Sequence, residues 1–326
     1  MRSLIRLGIG AVIIGVLIWI GDGLAAHWEV MSQLGALAAI LALIVITAGR
    51  TLMAYKWLRL LRCRGADMSL HTATQIYCAA NIWGLFLPAT VGADAVRIVC
   101  TCREGVGAND VVATTLIERG LGFIIGALLC VLAVLYFAEQ AILGTTLYWT
   151  GWFATALFIV LLAALLVSFS ERFYSFTHDT LLRRIQDKKP ARLLRELHRA
   201  YLEFRNHRAE LFIFTGLTVG ENAITGMAFW IIAWGLGVSV DIIALLAAIF
   251  LANLISRISF SVGDGIGIFE AMFVLALAVV GVSSTEALSV ALLGRVFKIL
   301  SWLPWWFTYT LKLGSFGAPS GKPASH

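Results

Sequence analysis

The chain has 326 residues, of which 60% are hydrophobic and only 13% are charged. Soluble domains carry about 25% charged and 45–50% apolar residues, so this composition excludes an ordinary soluble enzyme. The formal net charge is +6, which in a membrane protein favours contact with anionic lipid headgroups over nucleic acid.

Continuous apolar runs, each long enough to cross a bilayer core of about 30 Å, predict six membrane-spanning helices. The predicted spans are 4–20, 34–55, 110–137, 147–169, 211–235 and 286–311. The first run follows two arginines and fits either a signal peptide or a retained first span, and we interpret it as a span. The sequence therefore predicts an all-α polytopic membrane protein.

Basic residues are concentrated in two segments between the predicted spans. Segment 171–210 holds ten of the 25 Lys and Arg residues, and a second cluster follows the second span. That second cluster consists of Arg50, Lys56, Arg59, Arg62 and Arg64. Because cytoplasmic loops carry an excess of Lys and Arg, we predict that both termini, 56–71 and 171–210 lie in the cytoplasm.

Two further apolar segments, 72–104 and 241–281, are interrupted, and their predicted breaks are Pro88, Gly92, Gly263 and Gly267. A Val-Gly pair and then a long helix follow each segment, and each long helix carries an arginine in its third turn, Arg119 and Arg295. The topology places the two segments on opposite sides of the membrane. We therefore predict two re-entrant hairpins in an inverted repeat, with two kinked pairs of full spans as the alternative.

This interpretation makes residues 1–326 a single integral membrane domain. The first half-repeat covers about 34–137 and the second about 211–313, with the basic cytoplasmic segment 171–210 before the second. Apolar residues recur at helical spacing in that segment. It fits either a helix on the inner leaflet or a simple connector.

Ionisable residues also lie within or beside the spans, where one charge at the bilayer centre costs at least ~2.5–3.5 kcal/mol. Arg295 and Lys298 share one helix face with no acid in the same turn, which favours a bound anion such as a lipid phosphate. The predicted headgroup ligands are Arg119, Arg295, Lys298, Arg97 and Arg257. The acids predicted to balance charge or to carry a coupling proton are Asp94, Glu118, Glu221, Asp264 and Glu270. The five basic and five acidic residues balance in charge. The alternative is therefore that they form ion pairs with one another and serve only to hold the helices together.

Three stretches resemble the membrane region of lysylphosphatidylglycerol synthases, which is also described as a flippase-like domain. They are FLPATVGADAVRI, IERGLGFIIGALL and SFSVGDGIGIFEAMFVLALAVVGVSSTEALSVALLGRV. The resemblance implies a protein of the bacterial inner membrane that moves or binds lipids. It carries motif positions onto Pro88, Gly92, Asp94, Arg97, Glu118, Arg119, Gly263, Gly267, Glu270 and Arg295. The soluble aminoacyl-transferase domain of the synthases does not follow, so we expect a stand-alone membrane region without lysine transfer.

The leading functional prediction is a non-enzymatic lipid translocase. It would move an anionic phospholipid or a polyprenyl-linked glycolipid between leaflets through a cation-lined cavity. The chain contains no nucleotide-binding P-loop, so we expect facilitated or ion-gradient-driven motion. The alternative is a non-transporting accessory subunit of a lipid-modifying or glycosyltransferase pathway; a membrane transferase and a small-solute transporter are less favoured.

The expected partners follow from the same interpretation. They are anionic membrane lipids, together with either a second copy of the chain or a lipid-biosynthesis enzyme, and no nucleic acid. We predict no cofactor and no metal, because the five cysteines lack the spacing of a metal site or a disulfide scaffold.

Overall fold

The computed structural model describes residues 2–20, 22–85, 89–139, 203–258 and 265–316, with a few isolated positions between 149 and 163. Helices account for most of these ranges, and a short 3-10 turn, Phe204–His207, precedes the seventh helix. The helices are α1 (Arg2–Ile20), α2 (Gly23–Ser32), α3 (Ala36–Arg62), α4 (Leu70–Gly84), α5 (Ala89–Arg103), α6 (Ala108–Glu139), α7 (Arg208–Gly235), α8 (Ile242–Ile258), α9 (Ile268–Ala278) and α10 (Ser284–Phe316).

Four of the described helices, α3, α6, α7 and α10, are long and apolar enough to cross a membrane. They correspond to the predicted spans 34–55, 110–137, 211–235 and 286–311. Helices α1 and α2 meet at 86° and count as a fifth span if the bent pair is one crossing. Most of the predicted span 147–169 lies outside the described residues, so the number of six crossings stays a prediction. The protein is an α-helical, multi-pass membrane protein.

Helix α3 extends beyond its predicted end. It runs through Lys56 to Arg62, and its last turns bury the side chains of Trp57, Leu58 and Leu61 completely. The loop predicted to begin at residue 56 therefore begins only after Arg62. The basic residues of this stretch predicted a loop, but the apolar residues between them form a face that keeps the helix packed in the protein.

The two interrupted segments form short helix pairs. Helices α4 and α5 have 15 residues each, about 22 Å at 1.5 Å per residue, which is less than a bilayer core. The two helices approach closely near the break, where a Cβ on Gly84 would lie 2.6 Å from the Cβ of Ala93. Helices α8 and α9, with 17 and 11 residues, also pack against each other.

The breaks fall partly where the sequence predicts them. Gly267 precedes α9 with a φ of 87°, a left-handed conformation that glycine adopts without strain. Gly92, in contrast, is a buried position inside α5, because that helix already begins at Ala89. The predicted breaks at Pro88 and Gly263 lie outside the described residues.

Ion pairs gather several helix ends at one end of the bundle. Arg64, after α3, lies 2.6 Å from Asp110 in the first turn of α6. Burial disfavours the charged form of Arg64, but hydrogen bonds to Glu203 and Asp110 outweigh it and raise its pKa. Lys312, near the end of α10, lies 2.8 Å from Glu104, just after α5. The α4–α5 hairpin therefore starts and finishes at this end of the bundle.

Contacts at the opposite end involve the other hairpin. Tyr136, near the end of α6, donates a hydrogen bond to Asp241, just before α8, at 3.0 Å. His27 on α2 lies 3.1 Å from the hydroxyl of Ser289 in the early turns of α10. The starts of α8 and α10 therefore lie at the end of the bundle where α6 finishes.

Candidate functional site

A cavity of about 180 Å³ lies among α3 to α8, and Trp302 of α10 also contributes to its wall. Its described wall carries both signs of charge. The cationic side chains are Lys56, Arg97, Arg119 and Arg257, and the acidic ones are Asp94, Glu118 and Glu221. The described wall therefore has one more cation than acid. A water molecule in the liquid occupies about 30 Å³, so this volume suits a small polar group such as a phosphate.

Asp94 holds Arg119 at the wall of this cavity. One carboxylate oxygen of Asp94 lies 2.9 Å from Nε and 2.8 Å from Nη2 of Arg119. Asp94 is on α5, near the hairpin break, and Arg119 is on α6, in the interior of a membrane-length helix. The side chain of Arg119 keeps 37% of its surface exposed, so it is fixed by the acid and still accessible from the cavity.

Arg97 is held differently, by a largely buried clamp of two aromatic rings and two carboxylates. Its guanidinium carbon lies 5.1 Å from the ring centre of Trp57 and 5.0 Å from that of Tyr77. Its Nη1 lies 2.7 Å from Glu118, and its Nη2 lies 3.2 Å from Asp94. Two rings and two carboxylates thus surround this guanidinium.

Glu118 completes this network. Its carboxylate receives a hydrogen bond from the hydroxyl of Tyr77 at 3.1 Å, in addition to the ion pair with Arg97. Glu118 and Arg119 are adjacent in the sequence but make different contacts. Glu118 faces the buried clamp, whereas Arg119 faces the cavity and pairs with Asp94.

Lys56 is a site residue that the sequence interpretation assigned to a loop. It forms a short ion pair with Glu221 of α7 and donates a hydrogen bond to the hydroxyl of Thr218 at 3.1 Å. Its ammonium nitrogen also lies 4.9 Å from the ring centre of Phe214. Lys56 and Glu221 are both buried, and both belong to the cavity wall. This pair joins the α3 side of the cavity to the α7 side.

Arg257, at the end of α8, is a second accessible cation of the described wall. Its Nη1 would lie 3.9 Å from a Cβ placed on Gly122 of α6. Among the described residues it forms no ion pair. The predicted neighbouring acid, Asp264, lies outside the described residues.

The cations of the last helix occupy a different place. Arg295 pairs with Glu270, whose side chain is fully buried and whose other carboxylate oxygen accepts a hydrogen bond from the backbone N–H of Gly267 at 2.7 Å. Lys298 lies 5.6 Å from the ring centre of Trp302. Neither Arg295 nor Lys298 belongs to the described wall of the cavity. The acid missing from the helical turn of Arg295 is therefore supplied by α9.

The two hairpins use the same sequence separation to hold these arginines. Asp94 and Arg119 are 25 residues apart, and so are Glu270 and Arg295. In both pairs the acid is on the second helix of a hairpin, and Nε of an arginine on the next long helix binds it. Asp94 of the first hairpin therefore corresponds to Glu270 of the second.

Across the described ranges, no group of three or more His, Cys, Asp or Glu residues is arranged to hold a metal ion. Each described acid of the cavity wall instead has a basic side chain beside it.

Comparison with known families places this site in context. A family model described as the lysylphosphatidylglycerol synthase TM region matches residues 3–304. The chain belongs to this family. Membership in the lysylphosphatidylglycerol synthase TM family confirms the resemblance of the three motif stretches and relates the protein to lipid handling. No curated protein matches the chain.

Proposed function

We propose that this member of the lysylphosphatidylglycerol synthase TM family binds the headgroup of an anionic lipid in the charged cavity and moves that lipid between leaflets. The observation that carries the proposal is the described part of the cavity wall, where Arg119 and Arg257 are accessible and four cations stand against three acids. Charged side chains at membrane depth are costly, and in membrane proteins they commonly mark substrate pathways.

The size of the cavity suits a headgroup as the occupant. Sites for drug-sized ligands enclose about 300–1,000 Å³, and this cavity has about 180 Å³. A phosphate with a small substituent fits that volume, and the acyl chains of the same lipid would stay in the bilayer. Either an anionic phospholipid or a polyprenyl-linked glycolipid meets this requirement.

We infer that the two hairpins belong to an inverted repeat. Helices α3 to α6 and α7 to α10 follow the same order, which is a long helix, a short pair and a long helix. The contacts of Lys312 with Glu104 and of Tyr136 with Asp241 support entry of the two hairpins from opposite ends. Such repeats place a binding site between the two halves, near the middle of the membrane.

The identity of the membrane and the orientation of the protein in it also belong to the proposal. We propose the bacterial inner membrane, with both chain termini and the basic segment 171–210 in the cytoplasm, because these segments carry most of the positive charge outside the spans. Arg295 and Lys298 stay predicted ligands in the second half. Since both lie outside the described wall of the cavity, the first contact with the headgroup is assigned to Arg119 and Arg257.

Lipid transfer in vesicles tests this function. The purified protein would be reconstituted with fluorescent phosphatidylglycerol, and a membrane-impermeant reductant would report how fast the labelled lipid changes leaflet. We expect acceleration over protein-free vesicles, and a smaller effect for labelled phosphatidylcholine. Arg119→Ala should reduce the rate by about ten- to a hundredfold, since a hydrogen bond to a charged group contributes roughly 1.5–3 kcal/mol.

Arg103→Gln provides the matched control, because Arg103 is an exposed arginine at the end of the same hairpin and outside the cavity wall. It should transfer lipid at the wild-type rate. A wild-type protein that does not accelerate transfer of either lipid would contradict the proposal and favour the accessory subunit. Co-purification of a lipid-modifying enzyme would then identify that role.

A further inference from the structure

Arg50 lies in the interior of α3, far from either end of the helix. It follows Ala36, the first residue of α3, by 14 residues and precedes Arg62, the last, by 12. At 1.5 Å per residue these separations are about 21 and 18 Å along the helix axis. Arg50 is therefore a cation at membrane depth, where a charge is costly and commonly serves a function.

The described contacts of Arg50 satisfy little of its guanidinium. Its Nη1 donates a hydrogen bond to the sulfur of Met53 at 3.0 Å, and a thioether is a weak acceptor. Within the ranges that the structure describes, its buried Nε has no hydrogen-bond partner and the side chain forms no ion pair. Lys56 and Arg59 of the same helix, in contrast, each pair with an acid. A guanidinium has five N–H donors, so most of them remain for a ligand.

Arg50 continues the line of α3 side chains that faces the cavity. Met53 and Lys56 belong to the cavity wall, and residues three apart share one helix face. Arg50 is the next residue of this line, about 9 Å from Lys56 along the helix axis. The thiol of Cys78, a fully buried residue of α4, lies within electrostatic range of the Arg50 charge. The guanidinium is therefore on the α4 side of α3, beside the cavity.

Met53 separates the two cations of this line. A methionine side chain is unbranched and flexible, and its sulfur is the group that now contacts Arg50. The direction from Lys56 to Arg50 leads away from Arg64 and Asp110, which pair at the end of the bundle where the first hairpin starts. A headgroup that leaves the cavity along α3 toward the other end therefore meets Arg50 next, once Met53 has moved.

We propose that Arg50 is a second binding site for the phosphate of the transported lipid, reached from the cavity by displacement of Met53. A guanidinium binds two phosphate oxygens at once, whereas a thioether offers it one weak acceptor. In the described wall the single excess cation balances a monoanionic headgroup, and Arg50 receives that charge after the wall releases it. This inference rests on the proposed function and adds a second step to the path of the headgroup.

Cysteine protection tests the occupancy of this second site. In the full-length protein with the five native cysteines replaced, Thr47→Cys places a thiol three residues beyond Arg50 on the same line. A small thiol reagent would be applied in detergent, with and without dihexanoyl phosphatidylglycerol. We expect the lipid to slow labelling several-fold and Arg50→Gln to abolish this protection. Protection that survives Arg50→Gln would overturn the second site, and equal protection by inorganic phosphate would overturn its assignment to a lipid.

Lipid transfer in vesicles supplies the second readout. Arg50→Gln should slow phosphatidylglycerol about ten- to a hundredfold, the factor that the loss of one hydrogen bond to a charged group implies. Because no described acid depends on Arg50, the melting temperature should not fall. Arg50→Met, which keeps the length of the side chain, is the second variant and should slow transfer equally. A lower melting temperature with equal slowing of phosphatidylglycerol and phosphatidylcholine would show a structural role and overturn the proposal.

Arg62→Gln is the matched control on the same helix. Arg62 donates a hydrogen bond to the carbonyl oxygen of Met68 and lies outside the described cavity wall, so its loss should leave the transfer rate unchanged. If Arg50→Gln also transferred lipid at the wild-type rate, the second site would be overturned and the proposed function would stand. Wild-type protein that moves no lipid would overturn the proposed function, and this inference with it.

Discussion

Asp94 binds Arg119 through two nitrogens of the guanidinium, at 2.9 and 2.8 Å, from the second helix of the first hairpin. The same carboxylate group also lies 3.2 Å from Arg97. One acid therefore connects the buried clamp to the cavity. Its position determines both how the hairpin packs on α6 and where the accessible arginine points.

Replacing Asp94 with asparagine should lower stability and transport together. The change leaves Arg119 and part of Arg97 without their shared acid. Since Arg119 is partly exposed and only Arg97 is buried, we expect a cost below the about 3–5 kcal/mol of breaking a fully buried ion pair. We expect the melting temperature in detergent to fall by several degrees and lipid transfer to be nearly lost. A normal melting temperature for Asp94→Asn would show that the acid does not hold the hairpin.

Arg257→Gln should separate binding from stability. Arg257 is exposed at the cavity, and it forms no ion pair among the described residues, so its loss breaks no described contact of this kind. We expect lipid transfer to fall about tenfold, which corresponds to about 1.4 kcal/mol, while the melting temperature stays within a degree of the wild type. Arg257→Lys should recover part of the rate. An equal loss in Arg257→Gln and the exposed control Arg103→Gln would argue against a headgroup contact.

Arg295→Ala should act first on stability. It leaves the fully buried carboxylate of Glu270 without its cation, at a cost of about 3–5 kcal/mol. Lipid transfer should fall as well, because the start of α9 loses its anchor on α10. The double change Arg295→Gln with Glu270→Gln removes both charges and should recover most of the melting temperature. If transfer alone fell in Arg295→Ala, with no change in melting, the residue would be a direct lipid ligand.

Gly84→Ala should prevent the first hairpin from closing. A Cβ at this position would lie 2.6 Å from the Cβ of Ala93, too close for two carbons. Overpacking of this kind costs about 1–3 kcal/mol. In Gly120→Ala, the control, the new Cβ meets nothing within 4 Å, and helix propensity favours alanine by up to ~1 kcal/mol. Thermal unfolding should therefore separate the two variants in opposite directions.

Cysteine labelling tests the orientation of the hairpins. With the five native cysteines replaced, a cysteine at Ala89 should react with a membrane-impermeant reagent added from the cytoplasmic side. A cysteine at Asp264 should react from the outer side. If each interrupted segment were instead a pair of full crossings, its break would lie at the opposite face of the membrane. Labelling of Ala89 from the outer side and of Asp264 from the cytoplasmic side would therefore exclude the inverted repeat.

The membrane class and the long helices could be predicted from the sequence because continuous apolar runs report directly on burial in lipid. The predicted spans near α3, α6, α7 and α10 follow from this rule. The sequence could also have predicted the ion pair between Asp94 and Arg119, since both residues are predicted site residues. The two equal separations of 25 residues were also present in the sequence as a signal.

The position of Lys56 in a helix and its contact with Glu221 could not be predicted from the sequence. It stands among Arg50, Arg59, Arg62 and Arg64, and such a cluster is typical of a cytoplasmic loop. The apolar residues Trp57, Leu58 and Leu61 were the available sign that the helix continues. Nothing local indicates that Lys56 meets Glu221, which follows 165 residues later.

That distance along the chain has a consequence for biogenesis. Ribosomes add about 5–20 residues per second, so Glu221 emerges roughly 10–30 s after Lys56. A nascent α3 would hold an unpaired ammonium throughout that interval, and its long side chain can meanwhile reach the lipid–water boundary. We therefore expect α3 to settle to its final depth only after α7 has been inserted. Ribosome-arrested chains that end before residue 208 should accordingly leave position 56 open to aqueous reagents, and longer arrested chains should protect it.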